Sequence, residues 1–187
     1  MNKFKLNAVY ALTIALLLPG MLTASTRSDQ TDTRKEAIQL TQHIERTGRA
    51  IQLEADRLDA MRRNQQISNQ SHQYSLSRIA SHINEQLQPA MNRLAEIQPE
   101  LPQWHQHAID QMRTSAATLA ANTNAAILNR NPSESRKLAV LDAGYGQLLE
   151  NINGRADALV QVADAAGDYG DAQLKGHRAG LAIAAHD

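Results

Sequence analysis

Seven histidines provide most of the metal-binding or haem-binding chemistry available to this chain of 187 residues, which contains no cysteine. The densest group is Trp104-His105-Gln106-His107, in which two imidazoles lie two residues apart. Helical residues two apart point about 200° away from each other, so His105 and His107 are not expected to share a metal ion. His105 lies on an apolar helical stripe, which favours a buried core histidine. The alternative is an axial haem ligand, with Met112 as a candidate partner.

The candidates for a ligand or cofactor site are therefore His105, Met112 and Tyr145, whose spacing places them on the apolar stripes of two predicted helices. Haem pockets usually have aromatic walls, and only 3% of the residues are aromatic. The sequence therefore favours a protein without a bound cofactor. A small-ligand or haem-binding protein is the alternative.

Metal centres and catalytic sites both lack their usual motifs in this sequence. His82 and Glu85 have the spacing of a ligand pair, but di-iron bundles use the order Glu-x-x-His together with two further glutamates. The third predicted helix has no glutamate after Glu100, so those carboxylates cannot be assembled. There is no Gly-x-Ser-x-Gly elbow and no Gly-rich phosphate loop. The lack of cysteine also excludes thiolate catalysis and cysteine-ligated zinc. The sequence thus predicts no metal site, no catalytic residue and no enzymatic activity.

The charge balance argues against nucleic acid as a partner. The chain has 19 basic and 19 acidic residues, and Lys3 and Lys5 lie in a segment that we expect to be removed. The remaining chain has a net charge of −2, whereas nucleic-acid binding requires a clustered excess of basic residues. The few aromatic side chains also offer little surface for stacking on single-stranded bases.

The first 24 residues have the pattern of a secretory signal peptide. Lys3 and Lys5 precede an apolar run from Leu6 to Leu18. Pro19-Gly20 and small residues up to Ala24 follow the run. We expect cleavage near Ala24 and a protein exported to the periplasm or the extracellular space. An uncleaved anchor is the alternative, which the length of the run disfavours because a span needs ~20 apolar residues. No stable membrane span is expected after cleavage.

The rest of the chain has apolar residues at sevenfold spacing, which is typical of amphipathic helices. Four helices are predicted over residues 33–65, 71–97, 102–129 and 132–167. Their apolar stripes are Ala37-Ile44-Ile51-Leu58, Leu76-Ile83-Ala90-Ile97, Leu101-His105-Ile109-Met112-Ala116-Leu119-Thr123-Ala126, and Tyr145-Ile152-Leu159-Ala166 with Leu141, Leu148 and Val162 beside it.

Helix boundaries are marked by capping residues and breakers. Thr33 and Glu36 form a capping box, and Asn131-Pro132 has the pattern of a helix start. Pro89 is expected to kink the second helix, and Gly167-Asp168-Tyr169-Gly170 is expected to end the fourth. Residues 25–32 and 171–187 are then predicted to be a flexible N-terminus and a flexible C-terminal tail.

Four long amphipathic segments joined by short loops predict an all-α fold. The expected architecture is an antiparallel up-down four-helix bundle over residues 33–170. A three-helix bundle or an extended coiled-coil dimer is the alternative.

The second half of the chain resembles a group of uncharacterised exported bacterial all-helical proteins. The similar residues are Trp104, Ala108-Ile109-Asp110, Ala121-Asn122-Thr123, Ala126-Ile127 with Asn129, and Tyr169 followed by Lys175-Gly176-His177-Arg178. The resemblance implies export and a helical bundle. The group has no known activity, so the resemblance implies no catalytic residue.

Together these observations favour an exported, non-enzymatic protein of the cell envelope that acts through protein contacts, as a scaffold, adaptor or stress-related helper. We expect a protein partner or self-association and no nucleic-acid partner. A periplasmic bundle that binds a small ligand or haem is the alternative function.

Overall fold

The computed structural model describes residues 22–63, 69–129 and 143–184, and the elements in these ranges are all helical. In chain order they are α1 (Leu22–Arg63), α2 (Asn69–Ser81), a π-helical segment (His82–Leu87), α3 (Gln88–Ile97), a 3-10 turn (Gln98–Glu100), α4 (Gln103–Asn129) and α5 (Ala143–Ala184). No strand occurs in the described residues, so the predicted all-α class is confirmed. Residues up to 21 of the predicted signal peptide and the predicted start of the fourth helix, residues 132–142, lie outside the described residues.

The predicted second helix is a continuous helical segment whose middle is π-helical. The buried positions Ile79, Ile83 and Leu87 are spaced by two steps of four residues, where a regular sevenfold stripe has a four and a three. A wider π turn keeps such positions on one face, and the N–H of Gln88 accordingly bonds the carbonyl of Ile83, five residues back. Pro89 follows directly in the first turn of α3. There its missing N–H is tolerated, because the ladder is already interrupted.

Helices α1 and α5 run antiparallel, as polar contacts along their length show. The amide of Gln52 donates to Asp157 at 3.1 Å, and the amide of Asn153 donates to Asp56 at 2.8 Å. Partner numbers in α5 therefore fall as numbers in α1 rise. Gly48 of α1 lies against Val160 of α5, which continues the same antiparallel order.

Two glycines bring α1 and α5 into close contact. A Cβ at Gly48 would lie 2.7 Å from Val160 Cγ2, and a Cβ at Gly170 would lie 2.8 Å from Ile38 Cγ1. Atoms at these distances overlap, so only glycine lets the two backbones approach this closely. Gly48 of α1 and Gly170 of α5 therefore serve packing.

Helices α1 and α5 are both longer than the sequence pattern predicted: α5 ends later and α1 begins earlier. Helix α5 continues through Gly167 and Gly170 to Ala184, across most of the segment expected to be a flexible tail. Helix α1 begins at Leu22 and includes residues 25–32, which were expected to be a flexible N-terminus. Contacts that join Thr31 and Ile38 to Gly170 and Leu174 around one cavity favour the longer helices over local propensity.

The predicted apolar stripes form the core. The principal rows of the predicted helices are buried except for the partly buried Ala116, and most of their apolar residues belong to one hydrophobic cluster. The neighbouring row in α5 differs from the prediction: Leu149, Ala156 and Ala163 are buried, whereas Leu148 and Val162 are only partly buried at its edge. Arg155 shares the row of Leu148 and Val162, and its exposed position marks that row as the boundary with solvent.

Ion pairs connect α1 to the second helical segment. Arg93 donates to both carboxylate oxygens of Glu36, at 2.6 and 3.1 Å, and this hydrogen bonding lowers the pKa of the Glu36 carboxyl. The Glu54 carboxylate is buried and pairs with Arg78 at 3.2 Å and with Arg57 at 3.1 Å.

Helix α4 packs against α5 and against α2 and α3. None of the described helices is both long and apolar enough to cross a membrane.

Replacing Gly48 with alanine should destabilise the protein although alanine is the better helix former. The new methyl group meets the stiff side chain of Val160, and such overpacking typically costs about 1–3 kcal/mol. Gly154 is the matched control, because its Cβ would meet no atom within 4 Å. Gly154→Ala should raise the free energy of unfolding by about 0.4–1 kcal/mol. Urea unfolding of both variants checks this, and equal stabilisation by both would contradict the close packing.

Two adjacent leucines of α5 should differ in their contribution to stability. Leu149 is 2% exposed, whereas Leu148 packs only against the edge of the core. Leu149→Ala should therefore lower the free energy of unfolding by about 2–5 kcal/mol, as should Leu119→Ala in α4. Leu148→Ala should cost less than half as much. Chemical denaturation measures the free energy of unfolding of all three variants. A larger loss for Leu148→Ala than for Leu149→Ala would contradict the assignment of the Leu149 row to the core.

Candidate functional site

A small, largely enclosed cavity lies where α1, the start of α4 and the last part of α5 meet. Its volume is about 50 Å³. The lining residues are Thr31, Arg34, Ile38, Pro102, Trp104, His105, Gly170, Gln173 and Leu174. Three segments far apart in the sequence therefore contribute to one site.

The start of α4 is held in place by hydrogen bonds to the connection before it. The backbone N–H groups of His105 and Gln106 both donate to the Pro102 carbonyl, at 2.9 and 3.1 Å. The Gln106 side chain donates to the Leu101 carbonyl at 2.8 Å. Because the connection is tied to the first turn, Trp104 and His105 are positioned rigidly beside the cavity.

His105 is buried in a way that favours its neutral form. Its side chain is 2% exposed, and its ring stacks on Trp104 with the centroids 4.5 Å apart and the planes 10° apart. Burial lowers the pKa of the His105 imidazole. Its Nε2 atom is buried and has no hydrogen-bond partner among the described residues. A buried ring nitrogen without a partner is costly for stability.

Arg34 lines the same cavity. Its Nε atom is buried and has no hydrogen-bond partner among the described residues. No carboxylate among the described residues forms an ion pair with Arg34, in contrast to Arg49, which pairs with Glu45 on the same helix at 2.8 Å. The cavity is therefore lined by a guanidinium whose charge is not balanced by a neighbouring carboxylate.

Trp104 also contacts α5 and so separates the cavity from a groove on the surface. Its ring meets Tyr169 edge-on, with the centroids 4.5 Å apart and the planes 74° apart. The amide of Gln173 donates to the Tyr169 hydroxyl at 3.1 Å. The chain has no other tryptophan, so its fluorescence reports on both places.

The groove runs along the outer face of the α4–α5 pair and has a volume of about 440 Å³. Its walls contain no charged side chain: Trp104, Ala108, Gln111, Gln161, Val162, Ala165, Ala166 and Tyr169. It shares Gln111 and Val162 with a second depression, which Asp110 and Thr114 also line. The two depressions therefore form one continuous surface along α4.

The three residues proposed from the sequence are all buried but do not form one site. His105 lines the cavity near Gly170, whereas Tyr145 lies 24 residues before Tyr169 in α5, which is about 36 Å along a helix. Tyr145 instead contacts His72, with its hydroxyl 3.2 Å from Nδ1. Met112 lies two helical turns after His105 and is fully buried in the core.

The positions of these residues bear on the haem and metal hypotheses. Because His105 and Met112 lie on one face of one helix, they do not face each other across a single haem. Within the described residues, no group of three or more histidine, aspartate or glutamate side chains could hold a metal ion.

Sequence reasoning did not identify Arg34, Gly170 or Gln173 as site residues. Arg34 reads as an ordinary helix residue, whereas Gly170 and Gln173 lie at and beyond the predicted end of the fourth helix. Their meeting depends on the register between α1 and α5. A signal was present in Trp104-His105, where an aromatic side chain and a histidine follow Pro102 at the start of a helix. It locates the wall of the cavity but not its charged donor.

The stability of the protein should fall in mildly acidic solution because of His105. Its folded-state pKa is below its ordinary value of about 6.5, so the unfolded chain binds the proton more readily. The resulting stability is present above pH ~6.5 and is lost as the pH falls toward the folded-state pKa. His105→Phe preserves an aromatic ring and should reduce this slope. His107→Gln, at an exposed position, should retain it. Urea unfolding at pH 7.5 and pH 5 measures the difference, and equal slopes for wild type and His105→Phe would contradict it.

Comparisons of the chain with known proteins give no family to which it can be assigned. No protein-family model, no curated protein and no solved structure matches it. Its function is therefore inferred from the cavity and the groove themselves.

Proposed function

We propose that this protein is an exported, non-enzymatic helical bundle of the cell envelope that acts through protein contacts, as a scaffold, adaptor or stress-related helper. The proposal includes removal of a signal peptide near Ala24 and membership of the group of exported helical proteins that the second half of the chain resembles. The observation that carries it is the open, uncharged groove between α4 and α5.

An antiparallel up-down four-helix bundle is part of the same proposal. Helix α1 contacts α5 on one side and the α2–α3 segment on the other, and α4 likewise contacts α5 and the α2–α3 segment. Each helical segment thus has two neighbours, which is the pattern of a closed bundle. The antiparallel pairing of α1 with α5 agrees with this arrangement.

The groove has the composition of a protein-binding surface. Trp104 and Tyr169 meet at one end, and Tyr169 is 49% exposed. Tryptophan and tyrosine are enriched among residues that dominate binding energy at interfaces. Ala108 and Ala165 leave room beside them, so a partner side chain can reach the floor of the groove. An amphipathic helix laid along such a surface is a common mode of recognition.

The charges beside the groove indicate which kind of helix fits. Exposed Asp168 lies on α5, one residue before Tyr169 of the groove, and exposed Asp110 lies on α4. Asp110 accepts a hydrogen bond from the Gln98 amide at 2.9 Å and has a longer contact with Arg113, at 3.5 Å. An uncharged groove with acidic neighbours complements an apolar helix face flanked by lysine or arginine. We therefore take the occupant to be a basic amphipathic segment of a partner protein.

A second candidate function is the binding of a small ligand. Arg34 and His105 favour it, since both line one cavity and no carboxylate of the described residues forms an ion pair with Arg34. The haem version has less support, because His105, Met112 and Tyr145 are spread along the molecule.

The partner proposal is tested by placing a photo-crosslinking amino acid at Ala165 in the groove, and at exposed Ala60 on α1 as the control. After irradiation in the cell, we expect a product at Ala165 that is absent at Ala60. The crosslinked segment, mapped by mass spectrometry, should have an apolar face flanked by basic residues. No product at Ala165, equal products at both positions, or a crosslinked segment without that pattern contradicts the proposal.

The mapped segment, prepared as a peptide, then provides a quantitative test. Its binding should change Trp104 fluorescence and should weaken as salt is raised. Ala165→Glu should weaken binding at least ten-fold, because it places a charge in the apolar groove. Ala60→Glu should leave the affinity unchanged. Equal effects of the two substitutions would mean that the peptide binds elsewhere.

A further inference from the structure

We propose that this protein binds further copies of itself, with the groove between α4 and α5 of one copy receiving the outer face of α1 and α2 from another copy. The inference rests on the proposed function and names the partner that occupies the groove. It depends on a second exposed surface, on the charges of the two surfaces and on their positions in the bundle.

Two large apolar side chains are exposed where α1 lies beside α2. Leu53 of α1 and Tyr74 of α2 are each 63% exposed. Arg78 of α2 lies over the Tyr74 ring, with its guanidinium carbon 5.9 Å from the ring centroid. Arg57 follows Leu53 by one turn of α1. Arg57 and Arg78 both pair with the buried Glu54, at 3.1 and 3.2 Å, so that the side chains from the two helices lie together.

Arg46 extends this surface by two turns of α1. It is exposed and lies seven residues before Leu53, which places the two side chains on the same face of the helix. No carboxylate of the described residues forms an ion pair with Arg46. The name arginine patch is used below for the surface formed by Arg46, Leu53, Arg57, Tyr74 and Arg78.

The arginine patch has an excess of positive charge. Its three arginines are opposed by one carboxylate, Glu54, which leaves a net charge of +2. Arg49, beside the patch, pairs with Glu45 at 2.8 Å and adds no net charge. Helix α2 contains no acidic residue, and the next carboxylate along the chain is Glu85, seven residues after Arg78. The patch therefore presents apolar side chains flanked by cations.

The groove has the complementary character. Its walls are uncharged, and Ala108 and Ala165 leave space between its aromatic and amide side chains. Asp110 and Asp168 are exposed beside it. Leu53 of a neighbouring copy can enter the space above the two alanines while its arginines approach the two carboxylates. Complementary charges across an interface favour association and fix its register.

The two surfaces also match in length. The α5 wall of the groove runs from Gln161 to Tyr169, eight residues or about 12 Å along a helix. Arg46 and Arg57 are eleven residues apart, which is about 17 Å along α1. With Leu53 inside the groove, these arginines therefore lie near or beyond the ends of its uncharged walls, where they avoid burial without a partner.

The positions of the two surfaces make the assembly open-ended. In the proposed four-helix bundle, α1 and α4 each contact α5 and the α2–α3 segment. The edge formed by α1 and α2 therefore lies opposite the edge formed by α4 and α5. A copy cannot fill its own groove, and each contact between two copies leaves one groove and one patch free. Contacts of this head-to-tail kind produce chains or rings, which suits a scaffold.

The first test follows the mass of the purified, processed protein by sedimentation velocity as its concentration is raised. Because the arginine patch is centred on one leucine, the interface is small, and we expect a dissociation constant of about 10–100 µM. Species larger than a dimer should form between ~1 µM and ~1 mM protein, and added salt should reduce them. A monomer at all these concentrations, or association that stops at a dimer, would overturn the proposal.

Variants locate the two surfaces. Leu53→Asp in the patch and Ala165→Glu in the groove should each weaken self-association at least ten-fold. Gln39→Asp introduces the same charge at an exposed position of α1, fourteen residues before Leu53, and should have no effect. Circular dichroism verifies folding, and Arg46→Glu replaces Leu53→Asp if that variant fails to fold. Unchanged association in the folded patch or groove variants contradicts the assignment of the surfaces.

A mixture of the two variants distinguishes a head-to-tail contact from a symmetric one. Leu53→Asp retains an intact groove, and Ala165→Glu retains an intact arginine patch. Mixing them should restore one contact and give a one-to-one dimer without larger species. A mixture that remains monomeric would show that the patch does not fill the groove.

The crosslinking test at Ala165 separates this inference from the proposed function. A product with residues 46–57 of a second copy supports both. A product with a basic segment of another protein, together with a monomeric purified protein, retains the proposed function and overturns self-association. Ala60 remains a suitable control, because it lies seven residues after Leu53, about 10 Å along α1 and outside a groove of about 12 Å centred on Leu53.

Discussion

The close approach of α1 and α5 is the constraint on which the rest of this structure depends. Gly48 and Gly170 remove the side-chain atoms that would hold the two backbones apart, and Val160 and Ile38 occupy the space. Because these contacts lie ten residues apart on α5, they set the distance between the helices and also their register. That register brings Arg34 of α1 to the level of Gly170 and Gln173 in α5. The cavity therefore depends on how α5, near the end of the chain, packs against α1.

Burial of a charged and a titratable group at this point is unfavourable for stability. Unpaired buried donors cost free energy, and burial also lowers the pKa of the His105 imidazole because it disfavours the charged form. The large core of aliphatic side chains compensates, together with the stacking of His105 on Trp104. Natural proteins break local rules of packing and polarity mainly at functional sites. The combination of Arg34 and His105 is therefore more informative than either residue alone.

The two surfaces proposed for binding share Trp104. One face of its ring stacks on His105 at the cavity, and its contact with Tyr169 forms the end of the groove. Both are at the end of the molecule where the connection of Pro102 enters α4. Helix α5 would end between Gly167 and Gly170 if local glycine propensity alone decided its length. The continuation of α5 places Gln173 and Leu174 at the cavity. It also lets the Gln173 amide donate to the Tyr169 hydroxyl. The extended pairing of α1 and α5 thus builds both surfaces.

The sequence by itself determined the helical class and the principal core rows, such as Ala37-Ile44-Ile51-Leu58, because sevenfold spacing is a local property of one helix. It also identified His105 as buried and Trp104 as its neighbour. Only the tertiary structure decided that Leu149 and not Leu148 lies in the core, that α5 continues through Gly170, and that Arg34 meets His105. Those outcomes depend on which neighbouring helix covers each side of a stripe and at what register. Contacts between residues more than seventy positions apart set both, and a local pattern in one helix does not contain that information.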